Sequence, residues 1–341
     1  MAIREVEDRS TFRHLSRLTD DRGIFEHALG PHPRFTHGYC TDDNARLLVV
    51  AARDKSDSID ASILGRVAAR FLLDAIADDG QVHNRMSFER MWIDEPSVED
   101  CWGRCLWGLG TAVASAEDYE VRNRCFEAFE IASLARSPHL RAMCFAGIGA
   151  AELLSVDPAN PDAFELLADV AAMFDSYPNR DGKWQWPEPR LHYANALIPE
   201  VMIACGYLLG DEKLLRRGLG LLEWLVDVET GQERLSVTPV GGRGPGEKGP
   251  SFDQQPIEVA AIADAAARAH EVSGDMKWDV VLGMASSWFL GNNDSDLSMI
   301  DAHSGGGYDG LEDGSVNLNQ GAESTLAMIS TLQHRELLWV L

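Results

Sequence analysis

The sequence predicts an all-α chain folded as an (α/α)6 barrel, with one polar cleft at the N-terminal ends of its inner helices. Three observations carry that expectation. Apolar residues recur every three or four positions along nearly the whole chain, whereas no series of alternating strands emerges. A helical hairpin is written more than once: Pro199–Val226 breaks at Leu209-Gly210-Asp211, and the same design returns where Val259–Val272 meets Ser273-Gly274-Asp275 and resumes from Met276 to Phe289. In each, glycine suits a left-handed helix end, and in the first Asp211 suits the next helix start. Finally, two kinds of helix alternate. One kind is rich in Ala, Gly and Cys, which permits close central packing; the other is more charged.

In chain order, small-faced inner helices are expected to start near Asp43, Asp100, Arg141, Ala194, Pro256 and Gly321. The charged outer helices are Thr11–Arg17, Ala61–Ile76, Glu120–Ala135, Asp162–Phe174, Lys213–Val226 and Asp275–Leu290. Asn84–Trp92 reads as a short hairpin arm within a loop. Val240–Gly249 reads as a mobile glycine-rich loop rather than a phosphate loop, since GxxxxGK[ST] is missing and no strand precedes it. Gly305–Gly310 is a loop whose glycines suit close approach of the backbone to a ligand. The whole chain, 1–341, then forms one barrel domain; a plain helical solenoid is the rival arrangement.

Composition narrows the function. Of 341 residues, 45% are hydrophobic, so a large packed core is expected; 30 Lys+Arg against 54 Asp+Glu leave a net charge of −24. Such a surface repels phosphate backbones and anionic membranes, which argues against nucleic acid as a partner. No apolar run approaches the roughly 18 residues of a membrane span. The charged N-terminus MAIREVEDRSTF does not read as a secretory signal. The six cysteines, Cys40, Cys101, Cys105, Cys125, Cys144 and Cys205, form no CxxC pair and read as reduced, buried thiols. A cytoplasmic location is the expectation.

Chemistry concentrates just before the inner helices, in Thr36–Arg46, Glu95–Arg104, Trp184–Ala196, Ser251–Val259 and Gly305–Ser324. Inner helices of such a barrel run the same way, so these five segments are expected to converge on one mouth. Carboxylates, amides, arginines and aromatic rings in one place suit a sugar. Aromatic faces stack on its C–H surface, polar groups bind its hydroxyls, and two carboxyl groups cleave a glycosidic bond. Asp43, Asp100 and Glu188 are the candidate catalytic carboxylates, with Asp42, Glu99, Glu258 and Asp309 in reserve. Trp102, Trp186 and Tyr193 are candidate stacking platforms. Arg46, Arg104, His192, Asn195, Gln254 and Gln255 are candidate hydroxyl-binding groups, and His37, Tyr39 and Tyr308 join the substrate-binding set. The competing reading of single acids such as Asp42, Glu99 and Asp253 is helix capping. No HExxH or HxH occurs among ten histidines, and neither a metal nor another cofactor is expected. A GxSxG elbow is missing, and Cys40 near His37 reads as a packed thiol.

The segments HGYCTDDNAR, SVEDCWGRCLWGLG, LHYANALIPE, SFDQQPIE, WFLGNND and NQGAES resemble a bacterial helical domain of the six-hairpin glycosidase-like superfamily, from about Phe12 to Leu332. That resemblance implies an (α/α)6 toroid that processes sugars by hydrolysis, phosphorolysis, lyase action or epimerisation. Such domains are often fused to, or encoded beside, a glycosyltransferase, so it also implies association with one. The chain has no Rossmann-like half of its own for a nucleotide-sugar donor. The leading expectation is a glycoside hydrolase acting on an oligosaccharide or glycan. The rivals are a sugar epimerase using His37 and His192 as proton shuttles, and a non-catalytic glycan-binding accessory module.

Overall fold

The computed structural model describes residues 11–56, 58–176 and 182–336. Twelve α-helices are found among them. Six inner helices, α2 (Thr41–Ala52), α4 (Asp100–Ser115), α6 (Leu140–Val156), α8 (Leu197–Leu208), α10 (Pro256–Ser273) and α12 (Ala322–Gln333), pack each against the next, and α12 closes the ring on α2. The outer set is α1 (Arg13–Leu18), α3 (Ile59–Ala75), α5 (Tyr119–Ala132), α7 (Pro161–Met173), α9 (Glu212–Val228) and α11 (Lys277–Phe289). Ring closure separates this architecture from an open solenoid.

Burial follows the composition of the helices. In α6, LRAMCFAGIGAAELLSV, nearly every side chain is buried, and its small residues let neighbouring helices come close. In α5 and α9 the buried residues form one stripe and the charged ones face out. The closest approach is between α4 and α6. A Cβ on Gly110 would lie 2.0 Å from the Gly149 carbonyl oxygen, and one on Gly149 would lie 2.2 Å from that of Leu106. The two backbones touch, and only glycine permits it.

Connections differ sharply at the two ends. Inner-to-outer turns are short, as at Leu209-Gly210-Asp211, where Gly210 has φ 71° and Asp211 accepts from the Lys213 and Leu214 amides. Five of the outer-to-inner connections are long and carry all four two-stranded ribbons: β1 (Ala28–Leu29) with β2 (His32–Pro33), β3 (Tyr39–Cys40) with β4 (Arg85–Met86), β5 (Thr230–Gly231) with β6 (Arg234–Leu235), and β7 (Gly310–Glu312) with β8 (Ser315–Asn317). These loops therefore collect at the N-terminal ends of the inner helices. The arm expected at 84–92 turns back on itself through a Met86–Trp92 bridge, and its first strand also pairs with β3, which fixes it beside the start of α2.

Two loop expectations are corrected. The 240–249 segment is tied down: Arg243 is buried, exchanges backbone hydrogen bonds with Leu191, and donates to the carbonyls of Val228, Ser236 and Val237. The glycines of 305–310 let the backbone pack on protein instead of a ligand, since a Cβ on Gly306 would meet Gln320 and His14. All six cysteines are buried free thiols. No described helix is long and apolar enough to cross a membrane.

Candidate active site

None of the six inner helices has a side-chain cap, whereas outer helices α3, α5, α7 and α9 are capped by Ser58, Asp118, Asn160 and Asp211. Glu99 occupies the N-cap position of α4 without bonding its amides, and Asp42 lies inside the first turn of α2. Capping thus leaves the acids at the inner helix starts unexplained. Their contacts lie between helices.

Arg104, one turn into α4, is the hub. Its guanidinium is buried, lies 4.4 Å from the Phe145 ring centroid, and stands 3.6 Å from Asp42 and 3.7 Å from Asp100. Those separations exceed a hydrogen bond. Arg104 Nε and Nη1 and Asp42 Oδ1 are buried without any hydrogen-bonding partner. Leaving such groups unpaired costs about 1–3 kcal/mol each, and more for charged ones. One guanidinium serves both acids, so Asp42 and Asp100 are no more than about 10 Å apart, within reach of a shared glycosidic bond.

From Asp100 the contacts continue. The Tyr193 hydroxyl donates to Asp100 at 2.8 Å, and the Tyr193 ring lies under Arg141 with 4.7 Å between guanidinium and centroid. Arg141 grips Glu188 through two hydrogen bonds of 2.9 and 2.8 Å, and the Trp186 indole donates to the same carboxylate. Although burial opposes it, the Arg141 pair and the indole hold Glu188 below the usual carboxylate range. Burial pushes the Tyr193 phenol up to about 12, so it stays a donor.

On the other side of Asp42, Asp43 is buried, 2.5 Å from Arg46, with the Cys40 thiol donating to it. Arg46 reaches on to the half-exposed Glu323 of α12 at 2.6 Å. Burial pushes Asp43 up to about 6 despite Arg46. Asp309 accepts from the Gly321 amide before α12, and burial raises it as well. The Asp42–Arg104–Asp100–Tyr193–Arg141–Glu188 chain and the Asp43–Arg46–Glu323 chain thus bring together the starts of α2, α4, α6 and α12 and the loop before α8.

Several expected residues stand elsewhere. Trp102 is fully buried and donates to the Ala132 carbonyl, and Trp186 is fully buried against Trp224; neither shows a face to a ligand. Large indoles beside acids served the core here. Tyr39 is buried beneath Phe25 with its hydroxyl on Asp20. Gln254 is buried and satisfied by Ser251, Asp294 and Trp288. Asn195 and Glu258 satisfy each other, with the Ala194 amide also donating to Glu258. Gln255 and Tyr308 are half-buried, and His37, His192 and Glu99 are exposed. Sequence reasoning missed Arg141 and Glu323. The signal for Arg141 was present: a cation in the first turn of an otherwise apolar helix opposes the helix dipole and requires an anion.

Below Arg46 and Arg104 lies an axial cavity of about 40 Å³ lined mainly by apolar groups such as Val50, Trp107, Phe145 and Leu197. At the opposite end of the barrel a wider cavity of about 900 Å³ is bordered by Arg53, Asp264, His334, Arg268, Glu152 and Glu200. Those charges are paired with one another, Arg53 and His334 on Asp264 and Arg268 on both glutamates. Among the described residues no group of His, Cys, Asp or Glu is placed to hold a metal ion.

Buried acids set a pH dependence. Burial pushes Glu229 and Glu258 up to about 7. A carboxyl raised on folding contributes fully at low pH, and that contribution declines as pH climbs through its folded value. Glu152, Glu188 and Asp264 are lowered, so their contribution is present at neutral pH and is lost as pH falls below the usual carboxylate range. The thermal midpoint is expected to peak at about pH 5 and to fall toward pH 8. Glu229→Gln should flatten that decline; a midpoint rising from pH 5 to 8 in the unaltered protein would contradict the assignment.

No family model and no curated protein matches the sequence. Solved structures do resemble the fold. A sugar epimerase from a ruminal bacterium matches with TM-score 0.70 at 15% identity, covering 96% of each chain. Cellobiose 2-epimerase from Bacillus thermoamylovorans B4167 matches with TM-score 0.71 at 11% identity, covering 94% of this chain and 95% of its own. The cellulase Cel9M of C. cellulolyticum in complex with cellobiose matches with TM-score 0.61 at 9% identity, covering 92% and 87%. The chain has an (α/α)6 toroid fold, shared with these sugar epimerases and this cellulase.

Proposed function

We propose that this protein is a carbohydrate-processing enzyme, a glycoside hydrolase whose reacting carboxyl groups are Asp42 and Asp100. The observation that carries the reading is the buried Arg104 guanidinium, with two unpartnered nitrogens, held between those acids at the loop-rich mouth. Sugar hydroxyls both donate and accept, so one ring would bridge the part-exposed Asp42 and Asp100 carboxylates and the exposed Tyr193 hydroxyl, with Arg104 behind them. One of the two protonates the leaving glycosidic oxygen while the other, on the opposite side of the bond, acts as base or nucleophile, and the Tyr193 hydroxyl steadies Asp100. Asp43 and Glu188 act from behind: each is locked on an arginine, Asp43 setting Arg46 and Glu188 setting Arg141 over the Tyr193 ring. The resemblances to sugar epimerases and to a cellulase support a saccharide as substrate.

The test is a panel of oligosaccharides with product analysis. Hydrolysis adds one reducing end per event. Tyr193→Phe removes the donor to Asp100 and is expected to lower kcat by about tenfold to a hundredfold, with less change in KM. An unchanged kcat would remove Tyr193 from the mechanism. One observation favours epimerisation as a second reading: His27 and His37 meet edge to face at 4.9 Å on the same rim. Products of unchanged mass, with activity lost in His37→Asn, would select it.

A further inference from the structure

The two indoles expected to stack on a sugar are buried, yet the mouth has exposed aromatic rings that no sequence motif marked. Phe35 and Phe88 are 50% and 48% exposed, although both are large apolar side chains. Their centroids lie 5.6 Å apart, and both rest on the buried Phe25, at 4.9 and 6.1 Å. Phe25 in turn stacks on Tyr39 at 4.6 Å, so the pair stands on a rigid aromatic base. A collapsed core would have buried them; this base holds them up into solvent.

Their position is continuous with the carboxylate cluster. Phe35 belongs to the 3-10 turn Phe35–His37 that leads into β3 and α2, and Phe88 lies on the arm that follows β4. The next residue after Phe25, Glu26, accepts from the Ala322 amide at the start of α12, pairs with Arg85, and lies near enough to Asp43 to raise it. Exposed His27 and His37 meet each other edge to face, each two residues along the chain from Phe25 or Phe35. Apolar faces rimmed by ionic and imidazole groups match a pyranose, which presents C–H groups on its face and hydroxyls around its edge. A second copy of the chain fits less well, because each copy carries a net charge of −24.

We propose that Phe35 and Phe88 form a platform for a sugar unit beyond the cleaved bond, so that the substrate is an oligosaccharide of three or more units. This rests on reading the mouth as a saccharide site. The experiment measures KM for gluco- and manno-oligosaccharides of two to six units, α- and β-linked, with the unaltered protein and with Phe35→Ala, Phe88→Ala and the milder Phe35→Leu and Phe88→Leu. Expected is a KM that falls with chain length in the unaltered protein, and a loss of at least tenfold of that advantage in the alanine variants, with the leucine variants between. A length advantage that survives all four substitutions overturns the platform and leaves the saccharide site standing. If no oligosaccharide is bound or turned over by the unaltered protein, both readings fall.

Discussion

Asp100→Asn and Asp42→Asn are each expected to lower kcat/KM on a cleaved oligosaccharide by about a thousandfold, with thermal midpoints close to the parent. Each side chain keeps about a quarter of its surface exposed, and asparagine at position 100 still accepts from the Tyr193 hydroxyl. Each substitution removes one of the two ion pairs of Arg104, at 3.6 and 3.7 Å, and leaves the other acid to balance the buried guanidinium. Asp43→Asn should behave differently. That carboxylate is buried against Arg46 at 2.5 Å, and breaking such a pair costs about 3 kcal/mol of stability. Activity assays and thermal melts on the three variants separate reacting from positioning acids. Retained turnover in Asp100→Asn, or an unaltered midpoint in Asp43→Asn, would remove the assignment concerned.

Gly149→Val is expected to leave no stably folded barrel. Its side chain would begin 2.2 Å from the Leu106 carbonyl oxygen, and no rotamer relieves a clash that starts at Cβ. Gly110→Ala is the gentler partner, its methyl falling 2.0 Å from the Gly149 oxygen. In an exposed helix alanine would gain nearly 1 kcal/mol over glycine. Here α4 and α6 must separate instead, and a loss of about 3 kcal/mol or more is expected. The separation also shifts Arg104 relative to Arg141, so any folded fraction should lose activity. Denaturant melts and circular dichroism check the first claim, and assays of the soluble fraction check the second. A Gly110→Ala protein as stable as the parent would contradict backbone contact between α4 and α6.

Helix order and alternation were legible in the sequence because periodicity and the small or charged character of a face are local properties. The expected 61–76 helix appears as Ile59–Ala75 and the expected 162–174 helix as Pro161–Met173, one or two residues off at each end. The site was legible only in outline. Acidic residues before inner helices mark the end of the barrel at which the proposed site lies. Which acid of Asp42-Asp43 turns inward is decided by a rotation of 100° along one helix and by a partner, Arg46, that also serves Glu323 on the last helix. The fate of Trp102 turned on the Ala132 carbonyl, thirty residues away. Aromatic composition announced stacking surfaces, yet the indoles went to the core and two phenylalanines without motif were left at the rim. Burial of a large ring is settled by tertiary packing, which no local pattern encodes.

The most direct measurement is a crystal structure of the Asp100→Asn protein soaked with an oligosaccharide that it binds without cleaving. A sugar ring at the mouth is predicted, its hydroxyls on the exposed sides of Asp42 and Tyr193, with the glycosidic oxygen between positions 42 and 100. A sugar seated instead in the opposite cavity among Arg53, Arg268 and His334, or bound away from positions 42 and 100, would contradict this assignment.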